Sequence, residues 1–107
     1  MILIDVGNTN IVFAASVNNS LKKVKRINTN EDKKKLKIII NKIIANYMSV
    51  NELDIYKVAI ISSVVPNLNI LIKNILKQNS VKGFIIRSKN ILPFIKIRYN
   101  LKEIGAD

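Results

Sequence analysis

The sequence contains no cysteine and no histidine. Without cysteine, disulfides and thiolate metal sites are excluded. Without histidine, the usual neutral-pH base and the usual zinc ligand are gone. Acidic residues are scarce as well, 7 against 18 lysines and arginines. Any acid–base chemistry therefore falls to a carboxylate, a lysine or a tyrosine. No apolar stretch approaches the roughly 20 residues that a membrane helix needs. Asp5 interrupts the N-terminal apolar run and no basic segment precedes it, so no signal peptide is expected. Neither an internal repeat nor a low-complexity linker is present. The expectation is a soluble cytoplasmic protein that contacts no membrane.

What is there is compact. A chain of 107 residues makes one domain at most, large enough for a core but modest for a whole enzyme. A hydrophobic fraction of 49% marks a folded chain, not a disordered one. The net charge is +11, with clusters at Lys22-Lys23-Val24-Lys25-Arg26 and Lys33-Lys34-Lys35-Leu36-Lys37. Such clusters can bind nucleic acid. Here the basic residues are spread along the chain, with no aromatic residues interleaved to stack on bases. Lysine, asparagine and isoleucine are all abundant, as an AT-rich genome favours. A solvated face is the expectation, and nucleic acid is not an expected partner.

The first ten residues, Met1-Ile2-Leu3-Ile4-Asp5-Val6-Gly7-Asn8-Thr9-Asn10, carry the strongest signal. The apolar run reads as a buried strand that leaves the core at Asp5. Gly7 allows a turn and the close approach of another group. Asn8, Thr9 and Asn10 then supply amide and hydroxyl donors. A carboxylate beside such donors suits a nucleotide phosphate with its magnesium ion. The donors take phosphate oxygens, and the acid holds the metal or one of its waters. The plainer alternative is an ordinary hairpin start, because Gly-Asn is a common turn pair.

Met1 to Asp5, Asn10 to Val17 and Leu21 to Asn28 read as an antiparallel meander, with the charged third strand at an edge. Thr29 to Asp32 resembles a helix start, with a hydroxyl cap and acids in the first turn. Leu36, Ile39, Ile40, Ile43, Ile44 and Tyr47 then form one apolar stripe, with Ile38 at its margin. Tyr56 to Val65 fits a central strand buried on both faces. Pro66 stops it and opens a second helix, whose stripe is Leu68, Leu71, Ile72, Ile75 and Leu76. Val81 to Arg87 is a last strand. Strand–helix–strand–helix–strand implies parallel crossovers covered by helices. Ser62 and Ser63 read as strand-end hydrogen bonding. The tail from Ser88 is irregular and closes on a glycine turn that presents Asp107.

Three stretches, in this order, give the chain a resemblance to the N-terminal part of the type III pantothenate kinases, members of the actin-like and sugar-kinase ATPase superfamily. They are Asp5 to Asn10, Ile61-Ser62-Ser63-Val64-Val65-Pro66, and Arg98-Tyr99-Asn100 with Gly105-Ala106-Asp107. The resemblance implies an α/β fold, a ribonuclease H-like five-stranded mixed sheet with three antiparallel strands and then a parallel β-α-β-α-β run, helices packed on it. It implies that residues 1–107 form an N-terminal ATPase-type domain, half of a two-domain kinase whose second domain is absent from this chain. One sheet face is then expected to be left partly exposed.

The implied reaction is ATP-dependent phosphorylation of pantothenate, the first step toward coenzyme A. Asp5, Val6, Gly7, Asn8, Thr9, Asn10, Ile11 and Val12 would form the phosphate-binding motif, with Asp5 near magnesium. Tyr99, Gly105, Ala106 and Asp107 would contact the substrate, with Asp107 as catalytic base. Potassium or ammonium is an implied cofactor, its site in the second domain, and the full-length protein is expected to be a homodimer. Leu101 stands near the place of a family proline, and the arginine that usually follows Gly-Ala-Asp has no counterpart. Little turnover is expected of these 107 residues alone. The alternative is a non-catalytic regulatory relative or gene remnant with a basic nucleic-acid-binding surface.

Overall fold

A computed structural model describes residues 1–18, 20–49 and 57–86. The elements in chain order are β1 (Ile2–Val6), β2 (Asn10–Val17), β3 (Ser20–Asn28), α1 (Lys33–Met48), β4 (Val58–Ser63), α2 (Pro66–Gln78) and β5 (Lys82–Ile86). They build one mixed sheet in the order β3-β2-β1-β4-β5. β1, β2 and β3 pair antiparallel, whereas β1–β4 and β4–β5 pair parallel. Both parallel connections carry a helix, as crossovers require. The expected α/β architecture is therefore present, with the lysine-bearing β3 at an edge. Tyr56, Arg87 and the whole expected tail, Ser88 to Asp107, lie outside the described residues.

Alternation along β1 sorts its side chains onto two faces. Ile2, Ile4 and Val6 join Phe13, Ala59 and Ile61 in one apolar cluster, and the stripes of both helices pack into it. Leu3, Val12, Ala14 and Leu21 form a smaller cluster on the opposite face. Each fully buried isoleucine or phenylalanine contributes about 1.5–3 kcal/mol by leaving water. α1 buries Leu36, Ile40, Ile44 and Tyr47, and α2 buries Leu68, Ile72, Ile75 and Leu76. Ile39 and Ile43 on α1 and Leu71 on α2 are only half-buried, and Ile38 is 57% exposed. Gly83 on β5 admits α2, because a Cβ there would meet Leu76 Cδ1 at 2.8 Å.

Three local features differ from the sequence-based expectation. The α1 start has neither a hydroxyl cap nor acids in its first turn, which is Lys33-Lys34-Lys35. Asp32 precedes the helix and makes no side-chain capping bond. Cations at that end oppose the helix dipole, so packing of the apolar stripe carries this helix, not its terminus. β3 contains a bulge. Phe13 pairs with Lys25 and Ala15 with Lys22, so Lys23 and Val24 on β3 face Ala14 alone on β2. Lys23 takes φ 54° there, and the Tyr47 hydroxyl donates to its carbonyl oxygen at 2.6 Å. β4 is an inner strand but is not buried throughout, since Val58 is 37% exposed.

Candidate functional site

The β1–β2 connection is a short turn held from three sides. The Gly7 N–H donates to the Asn10 carbonyl oxygen at 2.9 Å. Gly7 eases this approach, since a Cβ would lie a tight 3.2 Å from that oxygen. The Val64 N–H donates to the Val6 carbonyl at 3.0 Å, fixing the turn to the end of β4. The strongest clamp comes from the segment between β3 and α1. Thr29 Oγ1 donates to the Gly7 carbonyl at 2.8 Å, the Thr29 N–H donates to the Thr9 carbonyl at 2.9 Å, and Asn30 Nδ2 donates to the Asn8 carbonyl at 3.4 Å. Asn28 Oδ1 accepts the Asn30 N–H at 2.8 Å and steadies the clamp itself.

The consequence is a polarised loop. The carbonyls of Gly7, Asn8 and Thr9 are all engaged from one side. The N–H groups of Asn8 and Thr9 have no acceptor among the described residues, and both residues are exposed. Free N–H groups with tied carbonyls make a surface that attracts anions. Beside the turn lies a cleft of about 220 Å³, lined by Asn8, Thr29, Asn30 and Lys33 on one side and by Val65 and Asn67 at the start of α2 on the other. Glu31 lines the same cleft and offsets Lys33, so its preference for anions rests on the amide groups and the first turn of α2.

Asp5 lies elsewhere. It shares a sheet face with Leu3, away from the helices, and its register partners are Val12 on β2 and Ser62 on β4. It is half-buried among apolar neighbours. Burial pushes its carboxyl above the usual carboxylate range of 3.8, since water no longer solvates the charge fully. Among the described residues, no cluster of three or more metal-ligating side chains exists. A single carboxylate still fits magnesium, which takes most of its remaining ligands from water and substrate phosphates.

The structure thus gathers Gly7, Asn8, Thr9 and Asn10 at one turn and places Asp5 at the strand end that leads into it. Val6 and Ile11 pair across the hairpin and point into the core, while Val12 flanks Asp5. Their side chains hold the hairpin in place. Tyr99, Gly105, Ala106 and Asp107 lie outside the described residues. Sequence reasoning missed Thr29 and Asn30: the Thr29 hydroxyl reads as a helix cap but serves the turn, and the Asn30 amide carries no local signal. It also misread Ser62. Ser63 is a strand-end hydroxyl, accepting from the Val65 N–H at 3.1 Å and donating to the Val65 carbonyl at 3.2 Å. Ser62 Oγ is fully buried and has no hydrogen-bond partner among the described residues. The only available signal was a hydroxyl in an otherwise apolar strand.

Comparison with known proteins adds a family. A family model described as type III pantothenate kinase matches residues 1–107. A curated type III pantothenate kinase of Ehrlichia canis (strain Jake) is 33% identical over 115 residues, an alignment covering 100% of this chain and 41% of that relative. The chain spans about two fifths of the length of the curated relative it matches. No solved structure matches.

Proposed function

The chain belongs to the type III pantothenate kinase family, and from this we propose that the complete protein transfers the γ-phosphoryl group of ATP to the hydroxyl of pantothenate. The observation that supports this best is the polarised turn, with its carbonyls bound and its Asn8 and Thr9 N–H groups without an acceptor among the described residues. Phosphoryl transfer is mainly positioning and charge neutralisation, and such a turn supplies both.

In this reading, the N–H groups and side chains of Asn8, Thr9 and Asn10 bind phosphate oxygens. Asp5 holds magnesium or one of its waters, and the ion when bound supplies neutralisation of phosphate charge. Tyr99, Gly105 and Ala106 orient pantothenate. Asp107 accepts the hydroxyl proton as that oxygen bonds to the γ-phosphorus and the bond to the ADP oxygen breaks. Residues 1–107 act as one half of the nucleotide cleft. A second domain brings the other half and the potassium or ammonium site, and the complete protein works in the cytoplasm as a homodimer.

The test is an assay of the complete protein with magnesium, ATP and ammonium. Pantothenate-dependent release of ADP is expected, and its absence would contradict the reading. These 107 residues alone should show little turnover, and robust activity from them would mean the site is misplaced.

A further inference from the structure

All five strands meet in one row near the end of β1. Arg26, Val12, Asp5, Ser62 and Ile86 stand side by side in register on β3, β2, β1, β4 and β5. Register partners point to the same face, so Asp5 and Ser62 are adjacent side chains flanked on both sides by apolar ones. The residues one step back in the same columns, Leu3 and Ile60, are apolar too. Asp5 is therefore the one polar side chain beside Ser62 in this row. Yet among the described residues the Ser62 hydroxyl has no partner, neither Asp5 nor a backbone carbonyl, although the residue is 0% exposed.

A hydroxyl left unpaired in a sheet interior is unfavourable, and an alanine would fit the same space. Alanine fills comparable sheet positions at Ala14 and Ala59. Packing thus gives no reason for serine. Hydrogen bonding within the strand gives none either, since that work is done by Ser63. What remains is the carboxyl group next door.

We infer that Ser62 is a positioning residue for Asp5, its hydroxyl reserved to donate to the inner carboxylate oxygen when the outer one engages magnesium or a magnesium-bound water. The inference rests on the kinase reading above. A carboxylate that binds a cation through one oxygen is oriented by a donor on the other. Ser62, in register with Asp5 on the neighbouring strand, is placed to be that donor.

The experiment uses the complete protein, its Ser62→Ala variant and the near-isosteric, weakly donating Ser62→Cys variant. ADP binding is measured by calorimetry across a magnesium series and in EDTA, and each protein's melting temperature is recorded. Ser62→Ala should melt at or above the parent temperature and bind ADP in EDTA as the parent does. It should need about 10-fold more magnesium to reach the tight-binding state, the lower end of what loss of an outer-shell partner costs. Ser62→Cys should shift in the same direction. An unchanged magnesium requirement would overturn the inference. So would a lowered melting temperature or an equal loss in EDTA, either of which would make Ser62 a structural residue. If the parent itself shows no magnesium-dependent tightening, the kinase reading fails first and takes the inference with it.

Discussion

The two faces of β1 have opposite characters. On the helix side, Ile2, Ile4 and Val6 are no more than 1% exposed and belong to the large apolar cluster. On the other side, Leu3 begins an apolar cluster that gives way to Asp5 and Ser62 toward the strand end. One five-residue strand thus anchors the domain with alternate side chains and delivers a carboxylate with the others. The difference teaches where rigidity comes from. The β1–β2 turn starts from a strand pinned by two helices, so its geometry is inherited from the core. The one charged side chain of β1 lies on the face that those helices leave free.

The largest effect should come from the pinned face. Ile4→Ala should destabilise the protein by about 2–5 kcal/mol, because packed helices cannot collapse onto the cavity. Leu3→Ala on the opposite face should cost clearly less. Urea unfolding of both variants measures this, and equal losses would break the contrast between the faces. Next comes Gly83→Ala, which places a Cβ against Leu76 at 2.8 Å. Overpacking of this kind costs about 1–3 kcal/mol, and a melting temperature equal to the parent's would show that the end of the Leu76 side chain yields without cost.

Thr29→Val should cost about 1 kcal/mol by removing the bond to the Gly7 carbonyl. Amide exchange at Asn8 and Thr9 should speed up, since the clamp is released. The smallest effect concerns Asp5. Burial raises its carboxyl pKa above 3.8, so the folded protein holds that proton more tightly than the unfolded chain does. Stability therefore falls as pH rises from the unfolded value through the raised one, and the penalty is complete above it. Asp5→Asn in magnesium-free buffer should melt slightly above the parent at pH 7. The advantage should fade as pH drops and vanish below 3.8. A variant less stable than the parent at pH 7 would show that the carboxylate is favourably paired.

Much of this was legible in the sequence because it is periodic or punctuated. The Asn10–Val17 strand, the start of α2 at Pro66 and the edge position of the lysine-rich strand follow from local pattern. Asp5 and the turn were legible because a carboxylate, a glycine and three small polar residues are unusual directly after an apolar run. What stayed hidden depends on contacts distant in sequence. Thr29 reads as a cap because caps are local, whereas its partner Gly7 is 22 residues away. The bulge at Lys23 is set by Tyr47 across the α1 packing. Ser62 is informative only through its register with Asp5, which no single-strand pattern contains.

The basic flank offers the sharpest contrast to the turn. β3 and α1 carry Lys25 and Lys42 beside a cleft of about 200 Å³ lined also by Asn46 and Tyr47. Either place could attract anions on charge alone, but only the turn presents ordered N–H donors. The most direct measurement is therefore a nuclear magnetic resonance titration of the isotope-labelled complete protein with magnesium–ADP. Shift changes centred on the backbone amides of Gly7, Asn8, Thr9 and Asn10, reaching Asp5 and leaving Lys25 and Lys42 unmoved, are expected. Changes centred on Lys25, Lys42 and Tyr47 with a silent turn would contradict the assignment of the β1–β2 turn as the phosphate site.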